Sequence, residues 1–491
     1  MKGAFALIVG LSVVPLAQAQ SFTVLTSFNG VDGAFPSASL VRDSAGNLYG
    51  TTEFANPATG TGNVFKLDPT GKETVLFSFT GGTDGGHPEG GLIRDSAGNL
   101  YRTTQDGGDL SCFFPGTSGG CGVVFKLDPS GQETVLHSFT GGTEGAKLDA
   151  ALIRDSAGNL YGTTEFGGDL GCASGNGQGC GTVFKLDPTG TLTVLHSFTG
   201  PDGASPTCAL VRNSEGNLYG TAGAGGSFSD GTVFKPGAAG TLTVLHSFGS
   251  GKDGLFPFAS LIRDSARNLY GTTTAGGSDG LGTVFKVDST GKESVLHSFA
   301  NRQGEGRAPF GGLLRDASGN LFGTTSSGGD LNACAGEPTP GCGTVFELVT
   351  GKREVVLHIF EENADGAQPL AALIEDSSRN LYGATANGGR TVSEWSSSSR
   401  HDVGECEFRP VSPPARVLSK VEVPANPRGW PQISPPLSPL GWGYPDTLHT
   451  LASRCTKNLD FRLEGWFAAS KSWTELPLLH LNPRNSQSRN R

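Results

Sequence analysis

Between residues 21 and 389 the apolar residues fall in clusters of a few positions, rich in Val, Leu, Ile and Phe and separated by turns of Gly, Asp, Asn and Ser. No stretch sustains a helical period, so the clusters predict short strands. Their order repeats. In one copy a small-small-Leu-Ile-Arg segment (Ala150 to Arg154) leads through a turn (Asp155 to Asn159) into Leu160 to Thr164. A loop of variable length follows, then Gly181 to Leu186, a turn from Asp187 to Gly190, and Leu192 to Phe198. We label these four strands a to d. Gly and Asn in the turns supply the left-handed positions that tight hairpins require, and Pro presets φ at the second turn position.

Aligned on the Asn of the a–b turn, the pattern recurs seven times, at Asn47, Asn99, Asn159, Asn217, Asn268, Asn320 and Asn380, with spacings of 52, 60, 58, 51, 52 and 60 residues. Repeats of this length made of strands and turns predict a propeller or a solenoid. The chain opens on a d-like segment (Thr23 to Phe28), and its last copy supplies only the hairpin from Leu373 to Thr385. Joining these ends closes a ring and removes the open sheet edge. The expected fold is therefore an all-β, seven-bladed β-propeller whose seventh blade is incomplete and closed by the N-terminal strand. Small pairs before the Leu of strand a (Ala38-Ser39, Gly90-Gly91, Ala150-Ala151, Cys208-Ala209, Ala259-Ser260, Gly311-Gly312, Ala371-Ala372) place that strand innermost, at the crowded axis.

The a–b and c–d turns keep nearly one sequence and read as scaffold. The b–c and d–a loops vary, which is where binding is usually built. Three b–c loops carry Cys pairs, Cys112 with Cys121, Cys172 with Cys180 and Cys334 with Cys342, which predict three local disulfides on the loop face expected to make contacts. Zinc is the weaker reading of these pairs, because each lacks further ligands. Cys208 occupies a small-residue slot and reads as buried. His137, His196, His246, His297 and His358 repeat in the outer strand, one per blade, too far apart to share a metal. In the repeated Arg-Asp pairs, such as Arg154-Asp155, the Asp reads as a turn residue and the Arg as the partner of a neighbouring carboxylate or strand end.

Composition adds two facts. Of the 76 Gly only 5 follow residue 390, whereas all five Trp and 12 of the 28 Pro do. The domains expected are thus a signal peptide over 1–19 (Lys2, an apolar run from Ala4 to Ala17, and Ala17-Gln18-Ala19), a propeller over 20–389, and a non-repeat tail over 390–491. The tail reads as disordered or out-of-frame sequence that leaves the seventh blade without its third strand, with a Pro-rich stalk or small domain as the alternative. A net charge of −10 without a basic patch excludes nucleic acid as a partner. The leader's apolar run is too short to span a membrane, and no other segment is apolar enough to cross one. Secretion or a cell-surface or periplasmic location follows, with a monomer expected.

No nucleophile elbow, paired metal-binding His, P-loop or dinucleotide fingerprint stands in a convincing context, so neither cofactor nor metal is expected. Departures from the repeat consensus are the remaining site signal. They are His87, Arg102 in the Gly slot of L-Y-G, Lys147 with Asp149, Phe113 and Phe114, and Arg307, with Asp109 and Asp169 adding acidity. These predict a binding patch around the second and third blades.

The units L-I-R-D-S-A-G-N-L-Y-G-T-T, G-T-V-F-K-L-D and T-V-L-H-S-F resemble the GloVer tandem-repeat family of bacterial exported proteins over roughly residues 21–389. The resemblance implies a secreted or surface-anchored, propeller-like protein and brings no catalytic residues. The function expected is a non-enzymatic binding or surface interaction module with an extracellular ligand or surface partner. The alternatives are a propeller enzyme of lyase or lactonase type working at the channel mouth and a purely structural envelope protein.

Overall fold

A computed structural model describes residues 21–55, 60–113, 119–172, 177–237, 240–249, 251–334, 340–349, 353–361, 365–388 and 416–422. The predicted signal peptide, Phe114 and most of the tail lie outside these residues. Every regular element described is a strand.

Six blades are each built from four antiparallel strands in chain order, spanning 41–78, 93–138, 153–197, 211–247, 262–298 and 314–359, the last interrupted by the short strand Ser327–Gly328, which pairs with Gly306–Arg307. In the third, Ile153–Arg154 pairs with Leu160–Thr164, which pairs with Thr182–Leu186, which pairs with Leu192–Ser197. Strand a is shorter than expected: only the Ile-Arg pair is laddered, and the small pair ahead of it runs as irregular backbone.

The seventh repeat departs from expectation. It enters a composite four-stranded sheet in the order Ile374–Glu375, Asn380–Ala384, Arg416–Glu422, Ser21–Phe28. The blades built in chain order therefore number six, not seven, and the seventh sheet does not lack its third strand. A tail segment, Arg416–Glu422, takes that place. Its Val-Leu-Ser-Lys-Val run carries two β-branched residues and no Pro or Gly, which suits a strand, although it shares no motif with Gly-Thr-Val-Phe-Lys-Leu.

Two devices fasten neighbouring sheets. A Phe at the end of the outer strand in six of the seven four-stranded sheets meets the c-strand Phe of the next blade edge to face, in the pairs Phe28/Phe65, Phe79/Phe125, Phe139/Phe184, Phe198/Phe234, Phe248/Phe285 and Phe299/Phe346, with centroids 5.0–5.3 Å apart. All these rings are buried. Such geometry adds roughly 0.5–1.5 kcal/mol per pair beyond area burial. Nearer the axis, a strand-b Thr donates its hydroxyl to a carbonyl of the next blade's inner segment, as Thr103 does to Ala150 (3.0 Å) and Thr324 to Ala371 (3.0 Å). The composite sheet packs against blade 6 through Phe22, Leu373 and Leu381, and against blade 1 through Phe28 and Ala384. The amide of Ala372 also donates to Ser39 Oγ (3.2 Å).

The Arg of each Arg-Asp pair has a different role from the one expected. Arg94, Arg154, Arg263 and Arg315 lie over Tyr49, Tyr101, Tyr219 and Tyr270 of the preceding blade at 5.5–5.9 Å, a cation–π contact rather than a carboxylate pair.

Candidate functional site

The d–a loops share one unusual backbone. Phe35, His87, Lys147, Ser205, Phe256, Ala308 and Gln368, the equivalent residues of all seven copies, have φ between 49° and 61°. Left-handed geometry is costly for residues with a Cβ. Two hydrogen bonds impose it. The amide of His87 donates to the Thr61 carbonyl of the preceding blade (3.0 Å), and its own carbonyl accepts from the Gln105 amide (3.1 Å). The same pair of bonds holds Lys147, Ser205, Phe256, Ala308 and Gln368. Because only main chain is engaged, the side chain at this position is free to vary while its placement stays fixed.

At the second and third blades this position can carry charge, as His87 and Lys147, and charged neighbours surround it. His87 Nδ1 meets Asp106 Oδ2 at 2.8 Å, with Asp106 almost fully buried. Burial opposes the imidazolium, but the bonded Asp106 and nearby Glu53 outweigh it and raise the His87 pKa. Lys147 Nζ lies 2.7 Å from Glu165 Oε2 and 3.7 Å from Asp149 Oδ2. Burial again works against the charge, and these carboxylates raise the Lys147 pKa regardless. Gln105 Nε2 bridges two blades by donating to Glu89 Oε1 (3.1 Å) and Asp149 Oδ1 (3.0 Å).

The carboxylates compete for protons. Burial, then the charge of Asp149, pushes Glu165 up to about 7 and Glu89 well above its usual range. Arg102 lies fully buried beside this group, and burial lowers its pKa to about 9 against the pull of Glu89 and Glu53. Its three guanidinium nitrogens have no hydrogen-bond partner among the described residues. The six equivalent positions hold Gly. At Gly162, for example, a Cβ would stand 2.6 Å from the Phe184 ring, so the Arg is an addition to a slot that normally packs tight.

Of the residues singled out in the sequence, His87, Arg102, Lys147 and Asp149 share this cluster. Asp109, Phe113 and Asp169 do not. Asp109 accepts from the amide and hydroxyl of Ser111, Asp169 accepts from the Gly171 amide, and Phe113 is 81% exposed in its b–c loop. Arg307 is buried near Asn301, three blades away. Glu53, Glu89, Gln105, Asp106 and Glu165 escaped the sequence reading. The column after Thr-Thr carried the signal: Glu53, Gln105 and Glu165 stand there in the first three copies, against Gly223, Thr274, Ser326 and Ala386 in the rest.

Across the same set of loops, blades 5 and 6 are aromatic. Phe258 and Phe310 take the position of Glu89 and Asp149 and stack at 5.8 Å, and Phe256 stacks on Phe258 at 6.2 Å.

The three Cys pairs form disulfides as the spacing predicts: Cys112 bonds to Cys121, Cys172 to Cys180, and Cys334 to Cys342. Their position lies at the inner end of the b–c loops. Cys121, Cys180 and Cys342 are buried and belong to the hydrophobic clusters between blades, where Cys121 packs with Leu148, Cys180 with Ala204 and Cys342 with Ala367. The second Cys of each pair stands just before strand c and enters the core with it, so the bond ties the loop to the scaffold. Cys208 is buried, its thiol pushed up to about 12 by desolvation. Three disulfides fit an extracellular or periplasmic protein. Among the described residues no helix is long and apolar enough to cross a membrane.

The pattern of the Gloeobacter/Verrucomicrobia repeat matches residues 12–173 and 169–391. The chain belongs to that repeat family. Curated protein sequences give no significant match. Among solved structures, similarity extends to the extracellular domain of a one-component system from B. thetaiotaomicron, at 11% identity and a TM-score of 0.46, covering 71% of this chain and 37% of that one. The repeat protein thus spans little more than a third of that chain. A gluconolactonase from Xanthomonas campestris matches at 13% identity and a TM-score of 0.37, covering 82% of this chain and 90% of that one. A luciferin-regenerating enzyme matches at 13% identity and 0.36, over 82% and 96%.

Proposed function

We propose that this repeat protein is an exported binding module, that its composite sheet acts as the closing seventh blade, and that its contact surface is the ring of d–a loops. One observation carries the reading: seven equivalent left-handed residues hold one backbone geometry while their side chains range over Phe, His, Lys, Ser, Ala and Gln. A rigid frame that fixes placement and leaves chemistry to vary suits recognition. The polar sector of blades 1–3 presents Glu89, Asp149 and Glu165 as acceptors, and the aromatic sector of blades 5–6 offers flat apolar surface. The chemistry complements an organic ligand with ammonium or hydroxyl donors and an apolar portion.

The test is a thermal-shift screen of the full chain against spermidine, basic peptides, neutral oligosaccharides and acidic sugars, followed by hydrogen-exchange footprinting of any binder. Protection of the d–a loops, lost in Glu89→Gln with Asp149→Asn, is the expected result. Protection confined to the Asp-Pro-x-Gly turns, or no binder that responds to these substitutions, refutes the reading.

One observation favours an enzyme as second reading. Glu89, whose carboxyl is held well above its usual range by burial and by the charge of Asp149, is bridged to Asp149 through Gln105, and such a carboxyl pair is the kind that acid–base catalysis uses. Turnover of lactone or uronate substrates that disappears in Glu89→Gln would decide for it.

A further inference from the structure

In blades 2 to 6 the outer-strand His faces the acidic residue of the following d–a loop, and the pairs differ in length. His196 to Asp202 (2.7 Å) and His358 to Asp365 (2.6 Å) are direct hydrogen bonds. At the rim between blades 5 and 6 the arrangement is different. His297 Nε2 lies 3.4 Å from Glu305 Oε1 and 3.3 Å from Glu354 Oε2, and the ligand atoms of all three residues lie within 4.8 Å of one another. His297 comes from the outer strand of blade 5 (Glu293–Ser298), Glu305 from the d–a loop, and Glu354 from the outer strand of blade 6 (Arg353–Ile359). No other such group of three occurs among the described residues.

We propose that His297, Glu305 and Glu354 form a binding site for a divalent transition-metal ion of the zinc class, which cross-links the outer rims of blades 5 and 6. Three independent features support it. The first is spacing: ligands about 2.0–2.1 Å from a tetrahedral zinc stand about 3.3–3.4 Å from one another, the two separations seen here and longer than a charge-assisted hydrogen bond. The second is satisfaction: Nε2 of His297 and Oε1 of Glu354 are buried and make no hydrogen bond, while the Glu354 side chain is only 10% exposed. Groups of this kind normally have a partner. The third is charge, since one divalent ion neutralises two carboxylates with the imidazole left neutral, the form that ligates.

Surrounding structure holds the set in place. The Ala300 amide donates to Glu305 Oε1 (3.1 Å), fixing that carboxylate, and Phe299 meets the His297 ring edge to face at 4.8 Å. Three protein ligands leave one tetrahedral position for water. The neighbouring rims lack one element each. Leu192 and Leu242 replace the Glu opposite His137 and His196, and at His246 the shorter Asp253 replaces Glu305. The sequence reading expected no metal because it compared His residues with one another. The partners of His297 are carboxylates from the following loop and from the adjacent blade.

The experiment uses untagged full-length protein with its disulfides intact, stripped with chelator, dialysed against ZnCl2 or CoCl2, and analysed for bound metal by mass spectrometry and for cobalt visible absorption. The expected result is one retained ion per chain, cobalt bands of a low-coordinate site, and a rise in melting temperature of about 3 °C at a hundredfold excess over Kd. Glu354→Gln and Glu305→Gln should each lower retained metal at least tenfold, whereas His358→Gln should leave it unchanged. Melting of every variant in chelator reports its folding separately. Absence of retained metal in the wild type, retention by both Gln variants, or an NMR signature of a protonated His297 that persists with zinc present would each overturn the proposal. The last result would make the triad a plain imidazolium bridge.

Discussion

The turn that opens at Asp155 offers the sharpest test of how the repeat holds itself together. Asp155 Oδ1 accepts from the amides of Ala157 (3.0 Å) and Asn159 (2.9 Å), and Oδ2 from Asn159 Nδ2 (2.8 Å) and the Tyr161 hydroxyl (3.0 Å). At about 0.5–1 kcal/mol for each bond in a half-buried turn, Asp155→Ala should cost about 2–4 kcal/mol. Asp155→Asn should cost only about 1–2 kcal/mol, because the amide oxygen keeps the two backbone bonds. Blade 4 displays that compromise naturally: Asn213 Oδ1 accepts from Glu215 and Asn217, while Asn217 Nδ2 turns to Glu215 Oε2. In a chain with several hundred ordered residues, 1 kcal/mol corresponds to about 1–1.5 °C, so thermal melting should fall by about 2–6 °C for the Ala variant. Acid supplies a second readout. Burial raises the Asp155 pKa, but the bonds from Asn159 and Tyr161 outweigh it and the net shift is downward. The stability this confers is present above the unfolded carboxyl pKa and lost as pH falls through the folded one. The gap between wild type and Asp155→Asn should therefore narrow below about pH 4. An Ala variant within experimental error of wild type, or a gap that widens in acid, would refute the reasoning.

Removing the chain after residue 389 deletes Arg416–Glu422, which pairs with both Ser21–Phe28 and Asn380–Ala384, and should destabilise by on the order of 5 kcal/mol or more. A chain ending at residue 430 should melt like the full-length protein, and equal melting of the two truncations would count against the composite sheet. Glu73 is pushed up to about 8 by burial and by Asp32, so the folded state binds the extra proton and wild-type stability should decline from about pH 5 to pH 8. Glu73→Gln should be flat over that range and the more stable at pH 9, and parallel melting curves would dismiss the effect. Arg102→Met should raise stability by about 1–4 kcal/mol in denaturant titration, because the buried guanidinium lacks hydrogen-bond partners; a loss of stability would mean the charge is well compensated.

The sequence alone determined much of this protein, because repetition makes local chemistry self-checking. Seven copies of one turn fixed the strand order, and the alternation of Phe, Val and Leu on strands c and d fixed sheets packed on both faces. The paired Cys announced their disulfides through spacing and loop length, but not that Cys121, Cys180 and Cys342 sit in the core, since burial depends on the neighbouring blade. What the sequence left open depends on contacts between copies. Gln105 joins Glu89 to Asp149 from the neighbouring blade, and Glu354 approaches His297 from a strand 57 positions further along the chain, so no local motif records either meeting. The third strand of the composite sheet escaped for a related reason. A middle strand needs only length and unblocked backbone groups to satisfy the ladder on each side, and Arg416–Glu422 supplies seven residues without Pro and without the repeat's motif. The tertiary structure decided which variable residues become neighbours, because the ring sets side by side residues that the chain keeps a full repeat apart.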